Sequence, residues 1–264
     1  MLNIIKSIRY YLHRDILAWA YVAIVLGICG IFLVMSLDGV GVDEYTGAYG
    51  FRANVELNQI LIIVVSLLFV PLICAGDFSD KFINYELLGG YKKKHSYFAR
   101  ALYSYVFVYA IFVITCFLSL IIGCILNGYQ SPDLQVNDLL KLLVVGFVMV
   151  FRFVSVVIFL SFLLENVVAA SVVVYFLEVM AIFPSIILSE ILEGMEKTYI
   201  LSTLETYEKV MLPSDFEPSF VNGRDLYIPV YNFAENIGAV VESFVFGAVL
   251  LIVGYFIFKS RDRK

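Results

Sequence analysis

Two charged side chains stand inside apolar runs where charge is otherwise scarce, Arg152 in FVMVFRFVSVV and Glu178 in VVVYFLEVMAI. An ionised group at the centre of a bilayer costs about 3 kcal/mol on insertion scales, so a guanidinium and a carboxylate placed there favour each other's company. Glu165 lies between the two runs, 13 positions from each. At a helical rise of 1.5 Å per residue, both charges stand about 20 Å from that turn. An antiparallel hairpin therefore sets them at similar depth and allows an intramembrane polar pair, Arg152 with Glu178. Two roles are open to the pair: locking one helix to the next, or lining a substrate path or switch.

Residue types suited to covalent or metal chemistry lack the spacing that such chemistry needs. Gly89-Gly90-Tyr91-Lys92 departs from the GxxxxGK[ST] loop whose amides cradle phosphates. GxSxG, HExxH and GxGxxG patterns are missing, which removes the signatures of hydrolase, zinc-protease and dinucleotide sites. Cys29, Cys74, Cys116 and Cys124 all fall within apolar runs, with no CxxC pair and no neighbouring His. They read as small buried hydrophobes, not as a metal site or disulfide framework. His13 and His95 stand beside basic residues, where surface electrostatics is the expected role. The chain is expected to be no enzyme, with no catalytic residue, no metal, no cofactor of its own and no nucleic-acid partner.

The elements that hold these residues are set by composition. With 61% hydrophobic residues and a mean hydropathy of +0.91, the chain is not an ordinary soluble domain. Crossing about 30 Å of hydrocarbon takes roughly 20 apolar residues. Six runs qualify, at about 16–35, 60–76, 102–126, 139–164, 167–188 and 237–258. Lipid offers the backbone no hydrogen-bond partners, so each run closes its own as a helix. The expected fold is an all-α membrane protein with six transmembrane helices, one domain over residues 1–264. Pro71 and Pro184 are candidate kinks.

Basic residues set the orientation. Lys6, Arg9 and Arg14 precede the first run, Lys81, Lys92, Lys93, Lys94 and Arg100 join the second to the third, and Lys259, Arg261, Arg263 and Lys264 end the chain. The alternate connections hold only Arg52, Lys197, Lys209 and Arg224. The positive-inside rule puts both termini in the cytoplasm. The first run is longer than a signal-peptide core, and the following SLDGVGVDE has no cleavage pattern, so an uncleaved anchor is expected. Ahead of it, Leu2, Ile4, Ile5, Ile8, Tyr11 and Leu12 alternate with Lys6, Arg9 and Arg14. That spacing suits a helix over residues 1–15 lying in the interface with its basic face on anionic headgroups. Glu242 falls near the outer end of the sixth run, within reach of water.

Two connections are long. Residues 189–236 form the largest external segment; Ile191, Leu192, Met195, Ile200, Leu204, Tyr207 and Met211 recur at helical spacing before Pro213, Pro218 and Asn222-Gly223 break the pattern. An amphipathic helix over the outer mouth and a Tyr-rich return are expected, as a lid or as a plain connector. On the cytoplasmic side, residues 77–100 begin with Asp77 or Ser79 as a helix cap. Phe78, Phe82, Tyr85 and Leu88 share roughly one face, and Gly89-Gly90 stop the helix. A basic turn follows, and Ser96 is placed to cap the next span.

That connection resembles one in the type-2 ABC exporter permeases, particularly bacterial members linked to peptide export and to bacteriocin or bacitracin immunity. Asp77-Phe78, Ile83, Leu87-Leu88, Gly90 and Tyr97 match the family pattern. Lys81-Phe82 stands where the family has Gly-Thr, and Lys92-Lys93 replaces its Ser-Arg. The resemblance implies a coupling helix seated in a cleft of a separate ABC ATPase, with Asp77, Phe78, Lys81, Phe82, Tyr85, Glu86 and Leu88 making the contact. It further implies two ATPase copies carrying ATP and Mg, a second permease subunit, identical or homologous, and a multi-pass place in a bacterial cytoplasmic membrane. An apolar, aromatic-rich wall then favours an amphipathic or hydrophobic peptide as cargo. An ion-coupled secondary transporter using Arg152 and Glu178, and a non-transporting peptide-binding immunity protein, are the alternative readings.

Overall fold

The computed structural model describes residues 2–40, 47–76, 83, 86, 88–129, 136–191, 215–221, 224–230 and 233–260. Among them are seven long helices: α1 (Leu2–Arg14), α2 (Ile16–Val40), α3 (Gly47–Cys74), α4 (Lys93–Asn127), α5 (Val136–Leu164), α6 (Val167–Ile191) and α7 (Phe233–Ser260). Three helical stretches, Lys93–Asn127, Leu143–Leu164 and Val240–Ser260, are long and apolar enough to cross a membrane. A fourth span results if Asn3–Arg14 and Ala18–Ile31, bent by 75°, count as one; Leu61–Cys74 and Val167–Glu178 are shorter apolar stretches. The chain is thus a helical protein built for a bilayer.

From α2 onward the helices run alternately up and down. Gly47 N donates to Gly128 O at 3.0 Å, which puts the start of α3 beside the end of α4. A Cβ on Gly47 would press on Cys124 Sγ and lie 3.2 Å from the Leu120 carbonyl, so only glycine allows this approach. At the other end, Lys93 Nζ donates to the Lys259 carbonyl at 3.1 Å, a cation supplied to the last turn of α7, where free carbonyls gather. Lys6 and Arg9 of α1 lie near Tyr103 of α4. One end of the bundle therefore collects the basic residues of α1, of the α3–α4 connection and of α7.

Between α5 and α6 the chain turns within two residues. Glu165 adopts a left-handed backbone with φ 54°, and its amide bonds to Ser161 O at 3.0 Å. Asn166 Oδ1 accepts from Ala169 N at 3.0 Å, the capping role that asparagine plays at helix starts.

The core sits between α5, whose apolar window is 67% buried against 33% for α4 and 17% for α7, and the Leu61–Cys74 stretch of α3, which is buried as deeply. Val65 and Val70 from α3, Val108 and Phe112 from α4, and Val154, Val157 and Ile158 from α5 are sealed within it. Helix α7 also packs tightly: a Cβ on Gly247 would lie 2.8 Å from the Phe151 ring, and one on Gly254 2.7 Å from Tyr97 Oη. These small residues let side chains of α4 and α5 lie directly against the α7 backbone. Val106 and Ile114 of α4 and Phe244, Val249 and Phe256 of α7 face outward.

The segment before α7 holds β structure, where the sequence pattern predicts only a Tyr-rich return. β1 (Asp215–Val221) and β2 (Arg224–Val230) pair antiparallel, with Val221 opposite Arg224 across Asn222-Gly223. An Asn-Gly step between two short strands is a hairpin signature. Pro218 and Pro229 are tolerated because both strands of a two-stranded ribbon are edges. The amphipathic helix expected over Leu192–Met211 lies outside the described residues.

Candidate functional site: two buried charge clusters

The connection from α3 to α4 ends in a helix stop of defined geometry. Gly90 has φ 86°, and Tyr91 N donates to Glu86 O at 3.1 Å. This six-to-one bond with glycine in the left-handed region is the Schellman closure. It fixes the backbone of Glu86. The side chain is fixed as well, because Arg100, fully buried, grips both carboxylate oxygens, Nη1 to Oε2 at 2.9 Å and Nη2 to Oε1 at 3.0 Å. Ser96 Oγ donates to Glu86 Oε2 at 2.8 Å and accepts from Arg100 Nη1. A two-pronged guanidinium–carboxylate pair sets angle as well as distance.

Ser96 was expected to cap the third span. Instead α4 begins at Lys93, with Lys92 at the cap position making no side-chain bond, and the Ser96 hydroxyl joins the Glu86–Arg100 cluster. Around this latch, Ile83 is 1% exposed while Leu88 is 83% exposed. The connection thus has an inner contact at Ile83, a clamp at Glu86 and an outward apolar side chain at Leu88. Asp77, Phe78, Lys81, Phe82 and Tyr85 lie outside the described residues.

Just beyond the clamp, Tyr97 ties α4 to α7. It is fully buried, donates to Leu251 O at 2.9 Å and packs on Phe162 and Phe258. A displacement of the clamped connection therefore bears on α4 and, through Tyr97, on α7.

The second cluster lies deeper. Arg152 is 1% exposed and Glu178 7%, and the guanidinium is within electrostatic reach of both Glu178 and Glu242. Arg152 Nη1 donates to Ser243 Oγ at 3.2 Å, and the cation stands 5.0 Å from the centre of the Phe246 ring. A cavity of about 360 Å³ opens here, lined by Arg152, Glu242, Phe246 and three valines of α7. Glu242 Oε2 is sealed from solvent and has no hydrogen-bond partner among the described residues. Glu242, itself part-exposed, thus turns one carboxylate oxygen into this cluster.

A model of the family described as protein of unknown function (DUF2705) matches residues 20–263. The chain belongs to the DUF2705 family. No curated protein matches it.

Arg100 and Glu242 are the charged members of these clusters in the DUF2705 chain that the sequence reading does not assign to a site. For Arg100 a signal exists. It stands two turns inside an apolar helix, with Ser96 four residues before it on the same face and a carboxylate 14 residues upstream across a Gly-Gly stop. Glu242 carries no comparable mark, because which way a span faces its neighbours is not written in its composition.

Proposed function

We propose that this DUF2705 chain is the membrane-spanning permease subunit of an ATP-driven ABC exporter that moves an amphipathic or hydrophobic peptide, in export or immunity. In this reading six helices span a bacterial cytoplasmic membrane with both termini inside, and two permease subunits pair. A separate ATPase, present in two copies, holds ATP and Mg. The observation that carries the reading is the clamp of Glu86 on Arg100, with Leu88 exposed beside it. A surface that receives force from a soluble partner needs an exposed contact and a stiff joint to a span, and these residues supply both. The free energy that biases inward and outward states then comes from the ATPase.

The test is cysteine crosslinking from Leu88→Cys in membranes that also carry the candidate ATPase. A crosslinked permease–ATPase band is expected from Leu88→Cys and none from Ile83→Cys, which is buried. Absence of a band from Leu88→Cys in a correctly inserted protein would sink the reading.

The buried Arg152 and Glu178, with Glu242 beside Arg152, favour a second reading, an ion-coupled secondary transporter with its polar groups near mid-membrane. Transport driven by a proton or sodium gradient, abolished by Glu242→Gln and indifferent to ATP, would establish it. Protection against a peptide that survives loss of all ATP hydrolysis would establish instead a non-transporting immunity protein.

A further inference from the structure

The bend between α1 and α2 shelters a cavity of about 500 Å³ that neither the coupling nor the transport reading uses. Ile4 and Ile8 bury one face of α1 in the bundle. Lys6, Arg9 and His13, at i, i+3 and i+7 on another face, line the cavity's polar side, with Lys6 and Arg9 supplying its cations. Its other walls are apolar and aromatic, formed by Trp19 and Val22 of α2, Phe69 of α3 and Phe107 of α4. Among the described residues no carboxylate lines it.

The bend itself is held. Trp19 Nε1 donates to His13 O at 2.9 Å, and the two rings meet edge to face at 5.4 Å between centroids. The cavity thus sits where a helix turns by 75° into an apolar segment, with the donors supplied by α1 and apolar walls by α2, α3 and α4.

We propose that this cavity binds one anionic phospholipid, its phosphate held by Lys6, Arg9 and His13 and an acyl chain lying against Val22, Phe69 and Phe107. Charge and shape argue together. Cations alone attract any anion, but an uncharged aromatic wall running away from them rewards only an anion that carries a hydrocarbon tail. A diffuse attraction of α1 to headgroups needs no cavity, whereas this arrangement selects a lipid at a defined place. The proposal is independent of what drives transport.

Trp19 is the chain's single tryptophan and lines the cavity, so its fluorescence reads occupancy directly. The intact protein is reconstituted in phosphatidylcholine bilayers with an equal small mole fraction of phosphatidylglycerol or phosphatidylcholine brominated on the acyl chains. Brominated phosphatidylglycerol is expected to quench Trp19 the more strongly. Each Lys or Arg near an anionic lipid contributes roughly a fivefold factor, so Lys6→Gln with Arg9→Gln lowers the preference roughly 25-fold. Arg14→Gln, a charge change on the same helix outside the cavity lining, keeps it.

Equal quenching by the two lipids in the wild-type protein, a measurement needing no variant, overturns the proposal. An Arg14→Gln loss as large as that of the double variant overturns it too, by showing a diffuse surface effect. Relief of the quenching by inorganic phosphate at matched ionic strength assigns the cations to free phosphate and overturns the lipid assignment.

Discussion

Replacing Glu86 by glutamine isolates what the clamp on α4 contributes. Arg100 is fully buried while the Glu86 side chain is 15% exposed, and this difference sets the order of costs. Removing one member of a buried ion pair costs about 3–5 kcal/mol, because the other charge is left uncompensated. Glu86 touches water at its edge, so Glu86→Gln is expected near or below the bottom of that range, about 2–3 kcal/mol. Its amide oxygen still accepts one guanidinium hydrogen bond, but the charge is gone. Arg100→Met removes the cation, fills a similar apolar volume and leaves a carboxylate that turns to water, at a cost of about 1–2 kcal/mol. The double variant falls short of the summed costs by about 1–2 kcal/mol, the coupling expected of groups in direct contact. The assay is thermal unfolding followed with a thiol-reactive fluorophore, since Cys74 and Cys116 are 0% and 3% exposed and react as the core opens. At about 2–4 °C per kcal/mol, Glu86→Gln lowers the midpoint by about 4–12 °C. If Glu86→Gln melts with the wild type, or if Arg100→Met falls further than Glu86→Gln, the clamp does not hold a buried charge in the way argued.

Two further outcomes test the packing. Gly247→Ala is expected to destabilise by about 1–3 kcal/mol, since its Cβ would lie 2.8 Å from the Phe151 ring and 2.9 Å from Ser155 Oγ. Gly238→Ala on the same helix meets nothing within 4 Å and should be neutral or stabilising by about 0.5–1 kcal/mol; the same thermal assay compares the pair, and equal midpoints would contradict the close α5–α7 approach. Glu165→Gly should raise the midpoint by an amount equivalent to about 0.5–1 kcal/mol, because φ 54° strains any residue with a Cβ, and Glu165→Val should lower it.

Much of this architecture is legible along the chain. Apolar runs are a sum over consecutive residues, and each of the six expected runs falls wholly or mostly within one of the helices α2 to α7, of which α4, α5 and α7 hold stretches long and apolar enough to cross a membrane. The two-residue turn before Val167 and the stop at Gly89-Gly90 are equally local, since each needs only a few neighbouring residues to satisfy backbone groups. The Asn222-Gly223 step was visible too, yet the strands flanking it were not expected, because Pro218 and Pro229 argue against strands unless the ribbon is all edge.

What the sequence by itself determined is therefore the set of helices, their punctuation and the collection of basic residues at alternate ends. The tertiary structure alone decided which side chains meet: Glu86 with Arg100, Arg152 with Ser243 beside Glu242, and Lys6 and Arg9 with the wall that holds Trp19. The physical reason is rotational. A helix that is apolar all round has no face that water or lipid selects, so its rotation about its own axis is set by close contacts such as Gly247 on Phe151 and Gly254 on Tyr97. Only when those contacts are made does a charge in one span find its partner in another.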